Sequence, residues 1–273
     1  YKLVNWAKGD RVELERNTDY WGPAPAIPKA TFKFISDPTA AFAAVMAGDV
    51  DAFPMFPAAE TLEQFKSDPR FQVIVGTTEG ETILAMNNRN VPLNDVRVRE
   101  AISHAIDRQA LIDGAMFGYG TPIGTHFSPG NPDYEDLTAL SAYDPAKAKA
   151  LLQEAGVSNL KLRLALPPPP YARRGGEIVA AQLRAVGIET EVTTLEWAQW
   201  LDQVFKRHDF DLTIISHVEP LDINIYARPD YYFGYGKPEF VALIDKLAAT
   251  VKAEERSVLW KAAQEMIAKD YVN

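Results

Sequence analysis

Two runs of alternating apolar and polar residues open the chain, YKLVNW and RVELER, with AKGD (Ala7 to Asp10) between them, and predict a β-hairpin over residues 1–15. RNTDYWG and the proline-rich PAPAIP then read as a linker anchored by Tyr20 and Trp21, and TFKFIS returns as a strand. Asp37-Pro38 opens a helix with an acid at the N-cap and proline in the first turn, and Gly48 closes it after AAFAAVMA. DVDAFPMF reads as a short strand, Ala58 to Lys66 as a helix, and FQVIVG and ETILAMNN as two more strands of a mixed sheet.

Asn94-Asp95 caps the next helix, on which Val98, Ala101, Ile102, Ala105 and Ile106 recur at three- and four-residue spacing and form a core face. Asp107 starts a second helical segment, RQALIDGAMF, and Asp144-Pro145 and Gly156 bracket a third, AKAKALLQEA. From Leu160 the order is strand LKLRLAL, helix from Tyr171 to Val186, strand IETEVTT, helix from Trp197 to Lys206, and strand DLTIIS. Right-handed crossovers make those strands parallel and bring their carboxyl ends to one edge. Two amphipathic helices, PEFVALIDKLAATV and AEERSVLWKAAQEMIAK, follow.

The stretch from Asp211 to Tyr235 carries the strongest functional signal. An apolar, β-branched strand there runs into a loop holding His217, Glu219, Asp222, Tyr226, Arg228, Tyr231 and Tyr232, and open α/β sheets bind ligands beyond such strand ends. The loop has no glycine-rich phosphate cradle, so it reads as a recognition surface. Trp197 is the aromatic favoured for the same edge and Trp200 for packing, while Arg173, after four prolines, faces either a ligand carboxylate or solvent. His126 and His217 lie in loops where binding and surface roles both stay open, whereas His104, on a well-formed helix, reads as structural.

Net charge and residue usage narrow the chemistry. The 273 residues carry Lys+Arg 28 against Asp+Glu 37, a formal charge of -9 that disfavours nucleic acid and anionic lipid as partners. Cys 0 excludes disulfides, thiolate metal sites and cysteine nucleophiles. No apolar run approaches the ~20 residues that cross a bilayer as a helix. No HExxH or other metal-ligand spacing and no nucleophile elbow is found, so no metal, cofactor or catalytic residue is called for.

RVELERNTDYWG, FKFISDPTAAFAAVMAGDVDAF, LAMNNRNVPLNDVRVREAISHAIDRQALID, GYGTP, YDPAKAKALLQEAG and YFGYGKPEFVALID together resemble the extracellular solute-binding proteins, family 5, of the dipeptide and oligopeptide ABC importers. Asn88 to Asp113 is the most specific part of the match. The resemblance implies an α/β lobe of the type II periplasmic-binding-protein kind, a mixed or parallel sheet flanked by helices. It implies that residues 1–30 are hinge strands and linker from a neighbouring lobe and that 31–273 form the solute-binding lobe, ending before the family's return strand. Family members often have Gly-Trp after the central strand and, three residues on, an aspartate that pairs with a peptide amine. Ser216-His217 stands there in this chain, with Glu219 the nearest acid and Asp222 its competitor.

The expected function is capture of a peptide or peptide-like solute between two lobes and delivery to membrane permease subunits, by a monomer, periplasmic or extracellular, either free or lipid-anchored, with no bond made or broken. Expected ligand-binding residues are Glu219, Asp222, His217, Tyr226, Arg228, Tyr232, Trp197, Arg173, His126 and Asn88. The same fold binding an oligosaccharide, opine or other non-peptide solute is the alternative, and a hydrolase on a doubly wound sheet is the alternative of another class.

Overall fold

The computed structural model of the protein describes residues 1–219 and 221–273. The chain divides into two compact units, Tyr1–Val73 and Ile74–Asn273. In the first unit the expected hairpin forms from β1 (Lys2–Ala7) and β2 (Arg11–Glu15), and β3 (Lys29–Lys33) adds antiparallel to β2. Because β3 takes its backbone partners from β2, it belongs with the hairpin in the first unit.

Helix α1 (Pro38–Ala47) starts as its cap predicts: the Asp37 carboxylate accepts from the Ala40 N–H at 2.7 Å, and Gly48 ends it in the left-handed region at φ 77°. Two expected strands do not form. In DVDAFPMF the apolar residues pack as rings instead, Phe53 on Phe56 and Phe56 on Phe65, with Phe42 and Phe71 also against Phe65, while Pro54 brings no N–H to a ladder. FQVIVG spans the unit boundary with Ile74 and Val75 exposed and no strand partner among the described residues. The helix expected over Ala58 to Lys66 is a 3-10 turn, Ala59–Thr61, followed by α2 (Leu62–Lys66).

The second unit is built on a mixed four-stranded sheet. Its strands are β4 (Glu81–Met86), β5 (Leu160–Leu166), β6 (Ile188–Thr194) and β7 (Leu212–His217), in the order β4-β7-β5-β6. β5, β6 and β7 are parallel as the crossovers require, and β4 is antiparallel to β7. The last residue of β7, His217, therefore lies opposite the first residue of β4, Glu81.

Alternation along β7 splits its side chains between two cores. Leu212 and Ile214 enter a core with α3 (Val96–Ala105), α5 (Pro145–Glu154) and α6 (Pro170–Ala185). Ile215 enters the other, with α8 (Pro238–Ala249), α9 (Ala253–Lys269), Trp200 and the 3-10 stretch Asp222–Ala227. On that second face the Trp200 indole donates to Thr213 Oγ1, which donates to the Ala165 carbonyl at 2.6 Å. Trp200 ends the short helix α7 (Trp197–Trp200), which runs on as a π-helical segment, Leu201–Lys206. The face of α3 that repeats at helical spacing is core as expected, with Val98, Ala101 and Ile102 fully buried. The segment after Asp107 is α4 (Arg108–Met116).

α6 lies close enough to the sheet that glycine is required at one place. A Cβ at Gly176 meets Leu166 Cδ1 at 2.3 Å, whereas one at Gly175 meets nothing nearer than 3.6 Å. Leu166 is itself buried, so it has little room to withdraw, and overpacking of this kind costs about 1–3 kcal/mol. Gly176→Ala is expected to lower unfolding stability by about that amount in urea melts, while Gly175→Ala, which gains helix propensity, is expected to be neutral or stabilising. Equal effects of the two substitutions contradict this account of the α6–sheet contact.

Candidate functional site

The carboxyl ends of β5, β6 and β7 and the amino end of β4 share one edge of the sheet, and the polar residues of the second core gather there. His217 ends β7. Leu221 follows in the left-handed region, φ 60°, a conformation that a bulky residue keeps only where its surroundings hold it. Asp222 then begins the 3-10 stretch. The loop before α5 supplies His126, within a buried run from Thr125 to Ser128.

Asp222 joins these segments. Its Oδ1 lies 2.8 Å from His126 Nε2, and its Oδ2 lies 3.5 Å from His217 Nδ1. The outer nitrogens are also engaged: Tyr226 Oη is 2.9 Å from His126 Nδ1, and Tyr232 Oη is 3.0 Å from His217 Nε2. Burial lowers the pKa of His126 and favours the neutral ring, whose one N–H donates to the ionised Asp222 while Nδ1 accepts from Tyr226. For Asp222, burial acts to raise the pKa, but the hydrogen bonds from both histidines outweigh it and hold the carboxyl well below the usual range. Asn273 Nδ2 donates to the Tyr226 hydroxyl as well.

Glu81 sits across the strand pair from His217, 3% exposed, and its Oε2 has no hydrogen-bond partner. Burial, with the charges of Asp222, Glu79 and Glu219, pushes its carboxyl up to about 8. Thr125 Oγ1 and Ser128 Oγ, on either side of His126, are buried without partners too.

The residues expected to touch solute divide accordingly. His126, His217 and Asp222 come together as one cluster, while Tyr226 and Tyr232 are core residues whose hydroxyls serve the histidines and whose faces are covered. They offer no open stacking surface, because the loop after β7 folds back under α8 and α9. Asn88 is a clamp: its Nδ2 donates to the carbonyls of Met86, Phe233 and Val272. Arg173 pairs with Glu196 at 3.2 Å. Trp197 at 44% exposure and Glu219 remain open to solvent, as does Arg228, whose guanidinium lies 6.0 Å from the Tyr231 ring centroid. The sequence reading missed Glu81, which alternation had placed on an ordinary strand; its one signal was an acid at the start of an otherwise apolar run.

The family model for bacterial extracellular solute-binding proteins, family 5 (Middle), matches residues 1–238. The chain belongs to this family. Among curated relatives, it is 32% identical over 219 residues to the nickel-binding periplasmic protein of Escherichia coli (strain K12), a match covering 78% of this chain and 39% of that one. It is 28% identical over 207 residues to the dipeptide-binding protein of the same organism, covering 74% and 38%. The chain thus spans well under two thirds of the length of these curated relatives. In fold it is similar to the periplasmic binding protein DppA from Helicobacter pylori in complex with peptide STSA, with a TM-score of 0.88 at 24% identity, over 99% of this chain and 55% of that one. The lobe architecture expected from the family-5 resemblance is therefore present, with the mixed sheet as its base.

Glu81 ties this edge to stability. Its folded-state pKa of about 8 lies above the ordinary value of 4.5, so the unfolded chain ionises first and stability falls as pH rises between those values. The slope contributed by one such group is at most about 1.4 kcal/mol per pH unit. In urea melts with EDTA present at pH 5, 6.5 and 8, Glu81→Gln is expected to gain on the parent progressively with pH. A constant difference across the series contradicts a buried, protonated Glu81.

Proposed function

We propose that the chain is the solute-binding lobe of the receptor of an ABC importer, working in the periplasm or extracellularly, and that its solute is a peptide or peptide-like molecule. The observation that carries the reading is the sheet edge at which an open Trp197 and an open Glu219 flank a rigid, fully packed base, within a chain of the solute-binding family. Rigid support with a few outward polar and aromatic groups is what a solute site needs. Relatives named for a dipeptide and, in the solved complex, for the peptide STSA support peptide as the solute class.

In this reading Glu219, not Asp222, meets a ligand amine, since the Asp222 oxygens are already held by His126 and His217. Trp197 supplies a stacking face, and Arg228 orients a carboxylate. The longer receptor closes over the solute, and the closed form docks on the permease, a population shift driven by contacts made in both lobes. Apolar side chains left exposed in the first unit, Leu3, Trp6, Phe32 and Phe34, are surface for the remainder of a longer chain to cover. His217 at the position of the family's tryptophan, together with the nickel-named relative, supports a non-peptide solute as the second reading.

Mass spectrometry of solute retained by the full-length receptor identifies the class, and calorimetry with that solute tests the residues. Trp197→Ala is expected to weaken binding at least tenfold, about 1.4 kcal/mol. Glu219→Gln is expected to do the same for a solute with a free amine, because a charge pair buried by closure loses more than a solvated one. Both variants binding within about threefold of the parent removes this edge from the solute site.

A further inference from the structure

Two histidines and a carboxylate meet in the interior at the end of β7, with one atom of each within 4.8 Å of the others: His126, His217 and Asp222. They come from segments separated in sequence by 91 positions between the histidines and brought together by the fold. The donor set, two imidazole nitrogens and one carboxylate oxygen, is the one that first-row transition cations of borderline softness prefer over magnesium or calcium. Bonds of about 2.0–2.2 Å in a tetrahedral site set neighbouring ligands about 3.3 Å apart. Asp222 meets the two rings through different oxygens, Oδ1 at 2.8 Å from His126 Nε2 and Oδ2 at 3.5 Å from His217 Nδ1, so a cation between the rings faces both oxygens, or one of them after a small rotation of the carboxylate.

Three independent features point to a ligand here. Each histidine that turns one nitrogen toward the cluster has the other held by a tyrosine hydroxyl, Tyr226 for His126 and Tyr232 for His217, the outer contact that fixes the ring of a metal-bound histidine. A hydroxyl can donate or accept, so it serves the ring whether the proton or the cation is on the inner nitrogen. Next, Glu81 Oε2, across the strand pair from His217, is buried without a partner, as are Thr125 Oγ1 and Ser128 Oγ in the segment that carries His126, and buried oxygens left unpaired are costly unless something fills the space. Last, two carboxyl groups meet there, Glu81 buried and Asp222 largely so, while Arg89 and Arg228 are exposed.

We propose that His126, His217 and Asp222 form a binding site for one divalent transition cation such as zinc or nickel, with Glu81 or water completing its coordination. The site is enclosed by residues of this chain alone and is independent of the reading of the chain as a receptor lobe. The cation ties the loop at His126 to the end of β7 and the start of the 3-10 stretch, stiffening the edge that carries Trp197 and Glu219.

The test uses full-length protein stripped with chelator and titrated with zinc chloride at pH 7.5 by calorimetry, with excess magnesium present as a hard-cation competitor. One zinc per chain with micromolar or tighter affinity is expected, together with a rise in Tm on saturation. His126→Gln and His217→Gln are each expected to weaken binding more than about tenfold, Tyr226→Phe and Tyr232→Phe by about tenfold or more, and His208→Gln, whose ring meets Arg89 and not the cluster, not at all. Should the inner variants fail to fold, X-ray absorption of the cobalt-loaded parent decides: two imidazoles and carboxylate oxygen support the site. No saturable uptake by the parent, uptake unchanged in both histidine variants, or fewer than two imidazoles on the cation overturns it.

Discussion

One carboxylate, that of Asp222, holds the functional edge together. It is largely buried, ionised and shared between His126 and His217, which reach it from a loop and a strand end. A buried carboxylate deprived of a partner costs about 3–5 kcal/mol, because the charge stays and its compensation is gone. Any movement of the His126 loop or the end of β7 therefore has to break hydrogen bonds at a largely buried carboxylate. Tyr226 and Tyr232, whose hydroxyls meet the outer nitrogens of the two histidines, are covered in the same core.

The opposite end of the sheet is fastened by different chemistry. Asn87 Nδ2 donates to the carbonyls of His208 and Phe210, Asn88 reaches Phe233 and Val272, and Asn90 reaches Phe210 and Asp211. Arg99, buried in α3, donates to the carbonyls of Leu93, Asp270 and Tyr271 and so fixes the end of α9. Strand β7 is thus pinned where it begins by side-chain amides and where it ends by the histidine–aspartate cluster. Between those two ends its side chains fill both cores.

Local signals in the sequence were enough wherever the physics is local. Asp37, Asp95, Asp107 and Asp144 each cap a helix as read, since a cap needs only neighbouring N–H groups. FQVIVG and DVDAFPMF misled because alternation says that a segment can form a strand, whereas a strand also needs a partner, and none stands beside them among the described residues. Asn88 and the tyrosines were read as solute contacts because polar tips look the same in a list whether they point at a ligand or at a distant carbonyl. The meeting of His126 with Asp222, 96 positions apart, was invisible for the same reason. Trp200 is packed as read and Trp197 is open, a difference that spacing cannot give because the two lie on one helix face with their rings 5.9 Å apart; it comes from what the fold lays over Trp200.

At this edge an inner layer is packed and charge-matched, and Trp197, Glu219 and Arg228 lie outside it, open to solvent. The inner layer rests on Asp222 accepting the proton carried by His126 Nε2. Long-range nitrogen–proton correlation NMR of the metal-free protein at pH 7 reads that proton directly. The account predicts a neutral His126 with Nε2 protonated and Nδ1 bare. A ring protonated on Nδ1 instead, or on both nitrogens, contradicts it.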